Sequence, residues 1–216
     1  MNFKRNSTGV WQALTGALCL LVFLLLPPVR FKSETSTVLL DRNGQLLSAT
    51  VSDKGMWQFP ASDTVPYKFA TCITQFEDAY FRFHPGVNPF SIARAAYQNI
   101  KARKVVSGGS TITMQLVRLS RRGKPRTLGE KILEMAMAVR TEISYSKPRI
   151  LAMYSSNAPF GGNVVGLDAA AWRYFGVSPQ NLSWAEAATL AVLPNAPGLI
   201  FPGRNQHLLV EKRNKL

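Results

Sequence analysis

The pattern of apolar positions divides the 216-residue chain into an uncharged N-terminal run and a longer, mostly helical remainder. Residues 9–28 carry no charged side chain, and the run has about the 20 residues that a membrane-spanning helix needs. Lys4 and Arg5 precede it and favour a cytoplasmic N-terminus, although Arg30 and Lys32 follow it and weaken this bias. Because no small-x-small cleavage site follows, we predict an uncleaved signal anchor rather than a cleaved signal peptide.

The segment after the anchor has the pattern of a β-hairpin. Within residues 36–52, Asn43 and Gly44 separate two short apolar runs, and an Asn-Gly pair in this position is typical of a tight hairpin turn. We therefore divide the chain into a cytoplasmic tail (1–8), a transmembrane anchor (9–28), a linker with a hairpin (29–61), a main domain (62–205), and the start of a further element or truncation point (206–216).

The main domain has helical periodicity. One apolar stripe is spaced four, three, four and three residues apart, and a second follows it between residues 128 and 143. The stripes consist of Phe69, Ile73, Phe76, Tyr80 and Phe83, and of Leu128, Ile132, Met135, Ala136, Val139 and Ile143. Thr127 with Glu130, and Ser183 with Glu186, have the spacing of capping boxes that begin helices. The predicted fold is mainly α, with a short N-terminal β-hairpin, behind one N-terminal transmembrane helix.

The charge is strongly positive and unevenly distributed. The formal net charge is +14, and residues 79–129 contain ten Lys and Arg side chains but no Asp or Glu. Since an ordinary solvated surface mixes both signs, this stretch indicates an anionic ligand or surface. Cys19 and Cys72 are the only cysteines, and Cys19 lies in the apolar run, so neither a disulfide framework nor a cysteine zinc site is expected.

Two adjacent carboxylates, Glu77 and Asp78, stand directly before this basic stretch. On a helix that advances about 100° per residue, Glu77 lies at the edge of the apolar stripe and Asp78 on the opposite face. His84 would lie roughly above Glu77 if the helix continued that far. A carboxylate beside aromatic side chains has a raised pKa, which suits a general base. On spacing alone, an ordinary Glu at the edge of a surface helix is the favoured interpretation. Asp78 is better placed to pair with a cation or cap a backbone.

Residues 106–119 combine a flexible Gly-Gly pair with side chains that donate hydrogen bonds. Ser110, Thr111, Gln115 and Arg118 supply hydroxyl, amide and guanidinium groups just before or within a predicted helix. Such a set can bind phosphate at a helix N-terminus, although it is not a Walker motif. A Gly-Ser turn that caps an ordinary helix is the alternative interpretation.

Glu134 lies opposite the stripe of its predicted helix, near Met137 and Ala138. A helix with apolar residues on both sides is often sandwiched between others, which would bury Glu134 and require a partner for it. By pattern alone, an exposed glutamate is the favoured interpretation. The sequence from Ser144 to Lys147 fits the S-x-x-K of penicillin-binding transpeptidases, but no K-T-G follows. We regard that match as chance.

Five segments of the chain occur in the order of the five motifs of glycosyltransferase family 51. They are EDAYFRFHPG, GGSTITMQLVR, EKILEMAMA, SKPRILAMYSSNAPFGG followed by GLDAAAWRYFG, and LSWAEAATLAVLPNAP. The chain thus resembles, over roughly residues 36–216, the peptidoglycan glycosyltransferases of class A penicillin-binding proteins. Its HPGVNPFS and NAPFGG variants are most similar to the penicillin-binding protein 1C branch.

The resemblance implies a lysozyme-like helical fold with a membrane-touching lobe, and an enzyme that polymerises lipid II. In that reaction a lipid-linked glycan is transferred, with inversion, onto the GlcNAc 4-hydroxyl of the next lipid II, and undecaprenyl pyrophosphate is released. The implied location is the bacterial inner membrane, with a single pass and the catalytic domain on the periplasmic side. The implied partners are lipid II, undecaprenyl-linked glycan, the membrane and other cell-wall synthesis proteins, but not nucleic acid.

The resemblance also implies roles for individual residues. Glu77 would be the general base, while Asp78 would support the first motif and bind substrate together with Phe81 and His84. Glu134 would be the second family carboxylate, which positions the donor or a divalent cation, Mg²⁺ or Mn²⁺. The donor pyrophosphate and sugar would contact a set of polar and cationic side chains, namely Ser110, Thr111, Gln115, Arg118 and Lys131.

Three departures from the family pattern bear on activity. Glu130-Lys131 stands where the third motif often has Arg-Lys, so that one cation is missing unless Arg126 compensates. Tyr154-Ser155-Ser156 replaces the usual Tyr-Leu-Asn, with Asn157 one position late, and Arg118 replaces a common Lys. These changes leave a non-catalytic lipid II-binding scaffold as the alternative function. A lysozyme-like hydrolase is disfavoured because cleavage of finished glycan needs no site for pyrophosphate.

Overall fold

The computed structural model describes residues 5–31, 35–125 and 127–216, and it confirms a mainly helical fold. Lys4, Lys32 and Arg126, on which sequence-based predictions rest, lie outside the described residues. The α-helices are α1 (Arg5–Leu25), α2 (Tyr67–Glu77), α3 (Pro89–Ala102), α4 (Ile112–Ser120), α5 (Leu128–Ser144), α6 (Lys147–Asn157), α7 (Leu167–Phe175), α8 (Trp184–Val192) and α9 (Gln206–Asn214). A short 3₁₀ helix, Pro179–Asn181, precedes α8.

The predicted hairpin is present near the N-terminus. Strand β1 (Val38–Leu40) pairs antiparallel with β2 (Leu46–Ala49). In the turn, one carboxylate oxygen of Asp41 accepts hydrogen bonds from the N–H groups of Asn43 and Gln45, at 2.8 and 2.7 Å. Gly44 has a φ of 76°, the left-handed conformation that an Asn-Gly turn requires.

A second, parallel strand pair was not predicted. Strand β3 (Trp57–Gln58) pairs with β4 (Val164–Val165), which follows the loop after α6. Trp57 also packs against Trp172 of α7, with the ring centroids 6.1 Å apart. This pairing fixes the segment that precedes α2 to the body of the fold.

The hydrophobic core lies among the helices that follow β3. Helix α2 packs on α8, α4 packs on both α5 and α6, and α9 packs on α8. Leu209 of α9 is buried with the core. The largest side chains that are almost completely buried are Tyr154, Phe69, Phe160, Ile73, Ile112, Met114, Leu116, Ile150, Leu167, Leu182, Leu190 and Leu193.

Helix α2 is shorter than its apolar stripe predicts. It ends at Glu77, because Asp78 adopts a non-helical φ of −162° and ψ of 74°. Tyr80 and Phe83, predicted to extend the buried stripe, are instead 63% and 83% exposed. The helix ends here because the Asp78 carboxylate turns toward polar groups of other segments, described below, rather than continuing the helical surface.

The predicted apolar stripe of α5 is also not its buried face. Leu128, Ile132 and Ile143 are exposed, whereas the buried residues are Glu134, Met137, Ala138 and Thr141. This face is buried because α4 packs on it and supplies a cation for Glu134. Glu134 is therefore buried and paired rather than exposed, so the interpretation that the pattern alone favours is wrong, as is the predicted stripe.

Helix α1 occupies most of the segment for which a membrane anchor was predicted. Trp11, Leu14, Leu18, Leu21 and Leu25 of this helix are each more than half exposed. Within the part of the chain that the structure describes, none of the helices combines the length and hydropathy that crossing a bilayer requires.

Candidate active site

Glu77 is the last residue of α2, and the two oxygens of its carboxylate differ in their hydrogen bonding. Its Oε2 accepts a hydrogen bond of 2.6 Å from the Gln115 amide, whereas Oε1 is buried and has no partner among the described residues. Burial raises the pKa of Glu77; the Gln115 hydrogen bond and the positive charge of Lys212 lower it by less. A carboxylate with a raised pKa and a free oxygen is suited to accept a proton.

Asp78 is buried, and both of its carboxylate oxygens contact other residues of the protein. Its two oxygens lie 3.0 and 2.9 Å from Nε2 of His84, and its Oδ2 also accepts the backbone N–H of Ile112 at 3.1 Å. The backbone N–H of Gly86 donates to Nδ1 of His84, so Nδ1 carries a lone pair and Nε2–H donates to Asp78. This confirms that Asp78 caps a backbone, here the N-terminus of α4.

The predicted position of His84 above Glu77 is wrong, because α2 ends before reaching it. His84 and Phe81 are 7% and 3% exposed, and their rings meet edge to face with centroids 6.4 Å apart. The ammonium group of Lys147 lies 4.4 Å from the centroid of the Phe81 ring and donates to the His84 carbonyl oxygen. Both side chains support the turn after Glu77 from inside, and their direct contact with substrate stays a prediction.

The second predicted group of polar residues lies at the start of α4. The Thr111 hydroxyl accepts the N–H of Met114 as the helix N-cap and donates to the carbonyl oxygen of Gly86 at 2.6 Å. Thr111 therefore joins α4 to the turn that carries His84. Ser110 instead accepts hydrogen bonds from two cations, Arg118 at 3.2 Å and Lys131 at 3.4 Å.

Glu134 forms a two-point ion pair with Arg118. Nε and Nη2 of Arg118 lie 3.0 and 3.1 Å from Oε1 and Oε2 of Glu134, which is only 7% exposed. Both carboxylate oxygens are thus engaged by a cation. The described residues contain no group of three or more His, Cys, Asp or Glu that could hold a metal ion, and the role of Glu134 toward Mg²⁺ or Mn²⁺ stays a prediction.

A cavity of about 120 Å³ brings the two groups of residues together. Glu77 and Asp78 line one side and Ser110 and Thr111 the other. Arg94 of α3 also lines it and was not singled out from the sequence, although it belongs to the acid-free basic stretch. A carboxylate thus shares this cavity with a cation and with the serine that two further cations contact.

The altered fourth motif forms hydrogen bonds at Ser156 and Asn157 but not at Ser155. The Ser156 hydroxyl accepts the backbone N–H of Ser62 at 3.2 Å, and Asn157 donates to the Met153 carbonyl oxygen at 2.8 Å. Asn157 also accepts a long hydrogen bond of 3.5 Å from Gln58. The Ser155 hydroxyl is buried and has no hydrogen-bond partner among the described residues. In the altered third motif, Glu130 accepts a 2.6 Å hydrogen bond from Arg121.

Two further contributors come from the C-terminal part of the chain. Lys212 of α9 donates to the side-chain oxygen of Asn195 at 2.6 Å, and both residues favour the ionised form of Glu77 and lower its pKa. Neither residue could be predicted from its spacing, because the spacing does not show that α9 packs on α8 and α8 on α2.

Comparison with known proteins gives one family over most of the chain. The sequence model of a family described as Transglycosylase matches residues 43–216. That range includes every residue discussed in this cavity and excludes α1.

Several penicillin-binding proteins are similar to the chain. Penicillin-binding protein 1C of Escherichia coli (strain K12) is 40% identical over 96% of this chain and 28% of its own length. Penicillin-binding protein 1A of Aquifex aeolicus (strain VF5) is 37% identical over 70% of this chain and 21% of its own. Penicillin-binding protein 1A/1B of Bacillus subtilis (strain 168) is 32% identical over 86% and 20%. The chain thus spans less than a third of the length of these relatives.

Proposed function

The chain belongs to the transglycosylase family, and on that basis we propose that it is a peptidoglycan glycosyltransferase that polymerises lipid II. Its similarity to penicillin-binding protein 1C agrees with the branch that the motifs indicate. The observation that carries the proposal is Glu77, a carboxylate with a free buried oxygen in the same cavity as Arg94 and Ser110. The helical architecture agrees with the lysozyme-like fold that the family implies.

Glu77 acts as the general base of the proposed reaction. Its free Oε1 accepts the proton of the acceptor GlcNAc 4-hydroxyl while that oxygen forms a bond to C1 of the donor sugar. The bond between C1 and the pyrophosphate oxygen breaks, and its electron pair leaves with undecaprenyl pyrophosphate. Attack from the face opposite the leaving group inverts the configuration at C1.

The cations around Ser110 stabilise the pyrophosphate as it leaves. Lys131 and Arg118 both contact the Ser110 hydroxyl, and Arg94 lines the same cavity as Ser110. Since Arg118 is paired with Glu134, Lys131 and Arg94 supply most of the unneutralised positive charge at this point. Fixed cations at a developing negative charge lower the barrier of a transfer reaction.

The proposal places the protein at the bacterial inner membrane, in a single pass and with the catalytic domain on the periplasmic side. Helix α1 exposes apolar side chains, and α3 with the loop after it exposes Phe90, Tyr97, Ile100 and Val105 among basic residues. Mixed apolar and basic surfaces suit the boundary of an anionic bilayer. We expect the protein to stay in the membrane pellet after an alkaline carbonate wash. We also expect protease added from the periplasmic side to digest it. Release into the supernatant by the wash would contradict anchoring.

The activity is tested with purified protein and labelled lipid II in detergent, with glycan strands separated by gel electrophoresis. The wild-type chain should give a ladder of polymer, and Glu77→Gln should give none while it melts at a temperature no lower than wild type. Absence of polymer from the wild type, under conditions in which another family member polymerises, would overturn the proposal.

A second candidate function is a lipid II-binding scaffold. It is favoured by Glu130, which stands where the third motif often has a cation and pairs with Arg121. A scaffold would bind lipid II with an affinity similar to that of active family members but form no polymer. Measuring lipid II binding alongside turnover separates the two functions.

A further inference from the structure

Two consecutive hydrogen bonds connect the catalytic carboxylate to the protein core. The Gln115 side-chain amide donates from Nε2 to Oε2 of Glu77 at 2.6 Å, and its carbonyl oxygen Oε1 accepts the hydroxyl of Tyr154 at 3.2 Å. The three residues come from α4, α2 and α6. Tyr154 is only 1% exposed, so its hydroxyl is held inside the protein.

The chemistry of the three groups fixes the direction of both hydrogen bonds. An ionised carboxylate only accepts, so Gln115 must present its NH₂ group to Glu77 and its carbonyl oxygen to the opposite side. That carbonyl oxygen needs a donor, and the Tyr154 hydroxyl provides one. Burial raises the pKa of Tyr154 well above its usual range, so the hydroxyl keeps its proton at neutral pH and can donate.

We propose that Tyr154 is a positioning residue for catalysis, acting on Glu77 through Gln115. This inference rests on the proposed function, because that function makes Glu77 the general base. The two hydrogen bonds are observed whether or not Glu77 has that role. Without the hydroxyl, the part-buried Gln115 carbonyl oxygen loses its donor, and the amide is free to reorient. Glu77 then loses the 2.6 Å hydrogen bond from Gln115 to its Oε2, and its carboxylate is held less firmly.

The aromatic ring of Tyr154 has a separate, structural role that the hydroxyl does not share. The ring belongs to the core that α4 and α6 form, and a phenylalanine would fill the same space. Gln115 is the side-chain partner found for the hydroxyl among the described residues. Removing the oxygen atom alone therefore tests positioning without removing the packing.

The proposal predicts a specific kinetic change in Tyr154→Phe. Turnover of lipid II should fall about 10- to 100-fold, as expected for the loss of an oriented base, while KM changes by less than about twofold, because ground-state binding is not affected. The acidic limb of the pH–rate profile should move to higher pH, because the Gln115 hydrogen bond that lowers the pKa of Glu77 is weakened. A merely structural role for Tyr154 would leave that limb in place.

Tyr174→Phe is the matched control. The Tyr174 hydroxyl, like that of Tyr154, donates within the protein, but its acceptors are the backbone carbonyl oxygens of Phe160 and Gly161. It has no hydrogen bond to Gln115 or Glu77 among those of the described residues. This variant should keep the wild-type pH profile. Gln115→Met removes the amide that links Tyr154 to Glu77 and should shift the acidic limb as Tyr154→Phe does. The double variant should shift it no further than Gln115→Met alone.

A measurement that needs no turnover separates this inference from the proposed function. The pKa of the Glu77 carboxyl can be followed by ¹³C NMR in the wild-type protein, in Tyr154→Phe and in Gln115→Met. A higher pKa in both variants supports the positioning role even if no glycan forms. An unchanged pKa in folded Tyr154→Phe overturns it, and should that variant not fold, an unchanged pKa in Gln115→Met overturns it equally.

Discussion

The carboxylate of Asp78 accepts the backbone N–H of Ile112 at 3.1 Å, so a side chain at the end of α2 caps the first residue of α4. The same carboxylate holds His84. Its neighbour Glu77 has an oxygen without any partner among the described residues. The two adjacent acids thus have different surroundings: Asp78 joins the segments of the site, whereas Glu77 keeps the oxygen that the proposed reaction needs.

Asp78→Asn should destabilise the protein by about 2 kcal/mol, because its NH₂ group replaces a carboxylate oxygen and then faces another buried donor, either the Nε2–H of His84 or the N–H of Ile112. Urea unfolding monitored by circular dichroism measures the change. The control is Asp63→Asn, which removes a surface ion pair with Arg149 and should cost less than about 1 kcal/mol. Equal losses in the two variants would contradict the capping role.

Glu77→Gln should lower activity and raise stability at neutral pH. Since burial raises the pKa of Glu77, the folded protein binds this proton more tightly than the unfolded chain does. The stability that this provides is fully present below the unfolded pKa and is lost as pH rises through the folded pKa. Unfolding free energies measured from acidic to neutral pH should therefore show wild type falling relative to Glu77→Gln. A constant difference would contradict the raised pKa.

Gly109→Ala should disrupt the site, whereas Gly108→Ala should be tolerated. A Cβ at Gly109 would lie 2.8 Å from Cα of Ile92 and 3.0 Å from the carbonyl oxygen of Ser91, but one at Gly108 would meet nothing within 4 Å. Pushing this loop away from α3 should cost about 1–3 kcal/mol and displace Ser110. Thermal melting and lipid II turnover of the two variants test this, and equal behaviour would show that the close approach is unimportant.

Lys131→Gln should lower turnover of lipid II about 100-fold, the typical cost of removing one donor that stabilises developing charge. Lys124→Gln changes the net charge equally, but Lys124 is exposed in the turn between α4 and α5. It should alter turnover less than about twofold. Steady-state kinetics at fixed ionic strength compares them. If both variants lose activity to the same degree, the general positive field of the protein matters rather than Lys131.

Local signals in the sequence were enough to predict several parts of the fold. The Asn43-Gly44 turn identified the hairpin, and the capping box of Ser183 and Glu186 is complete at the start of α8. Thr127 caps the start of α5 by accepting the N–H of Glu130, where their spacing predicts the start of a helix. Each of these depends on interactions between residues close in the chain or on one helix.

The predictions that failed depend on contacts between distant segments. The apolar spacing predicted that α2 continues past Glu77. Spacing alone does not show that the Asp78 carboxylate accepts a hydrogen bond from the distant Ile112 N–H. The buried face of α5 was predicted wrongly, because α4 packs on the face that carries Glu134 and supplies Arg118 as its partner. Tyr154 is far from Glu77 in the chain, so its connection through Gln115 had no signal in the spacing.

The position of α9 has a consequence for how the domain is best produced as a recombinant fragment. A fragment that stops at residue 205, where the predicted main domain ends, would lack Leu209 and expose the apolar surface that it covers on α8. It would also lack Lys212, the cation next to Asn195. Expression vectors for crystallography or inhibitor screening should therefore encode α9, since its omission would yield a protein prone to aggregate and with an altered charge beside the base.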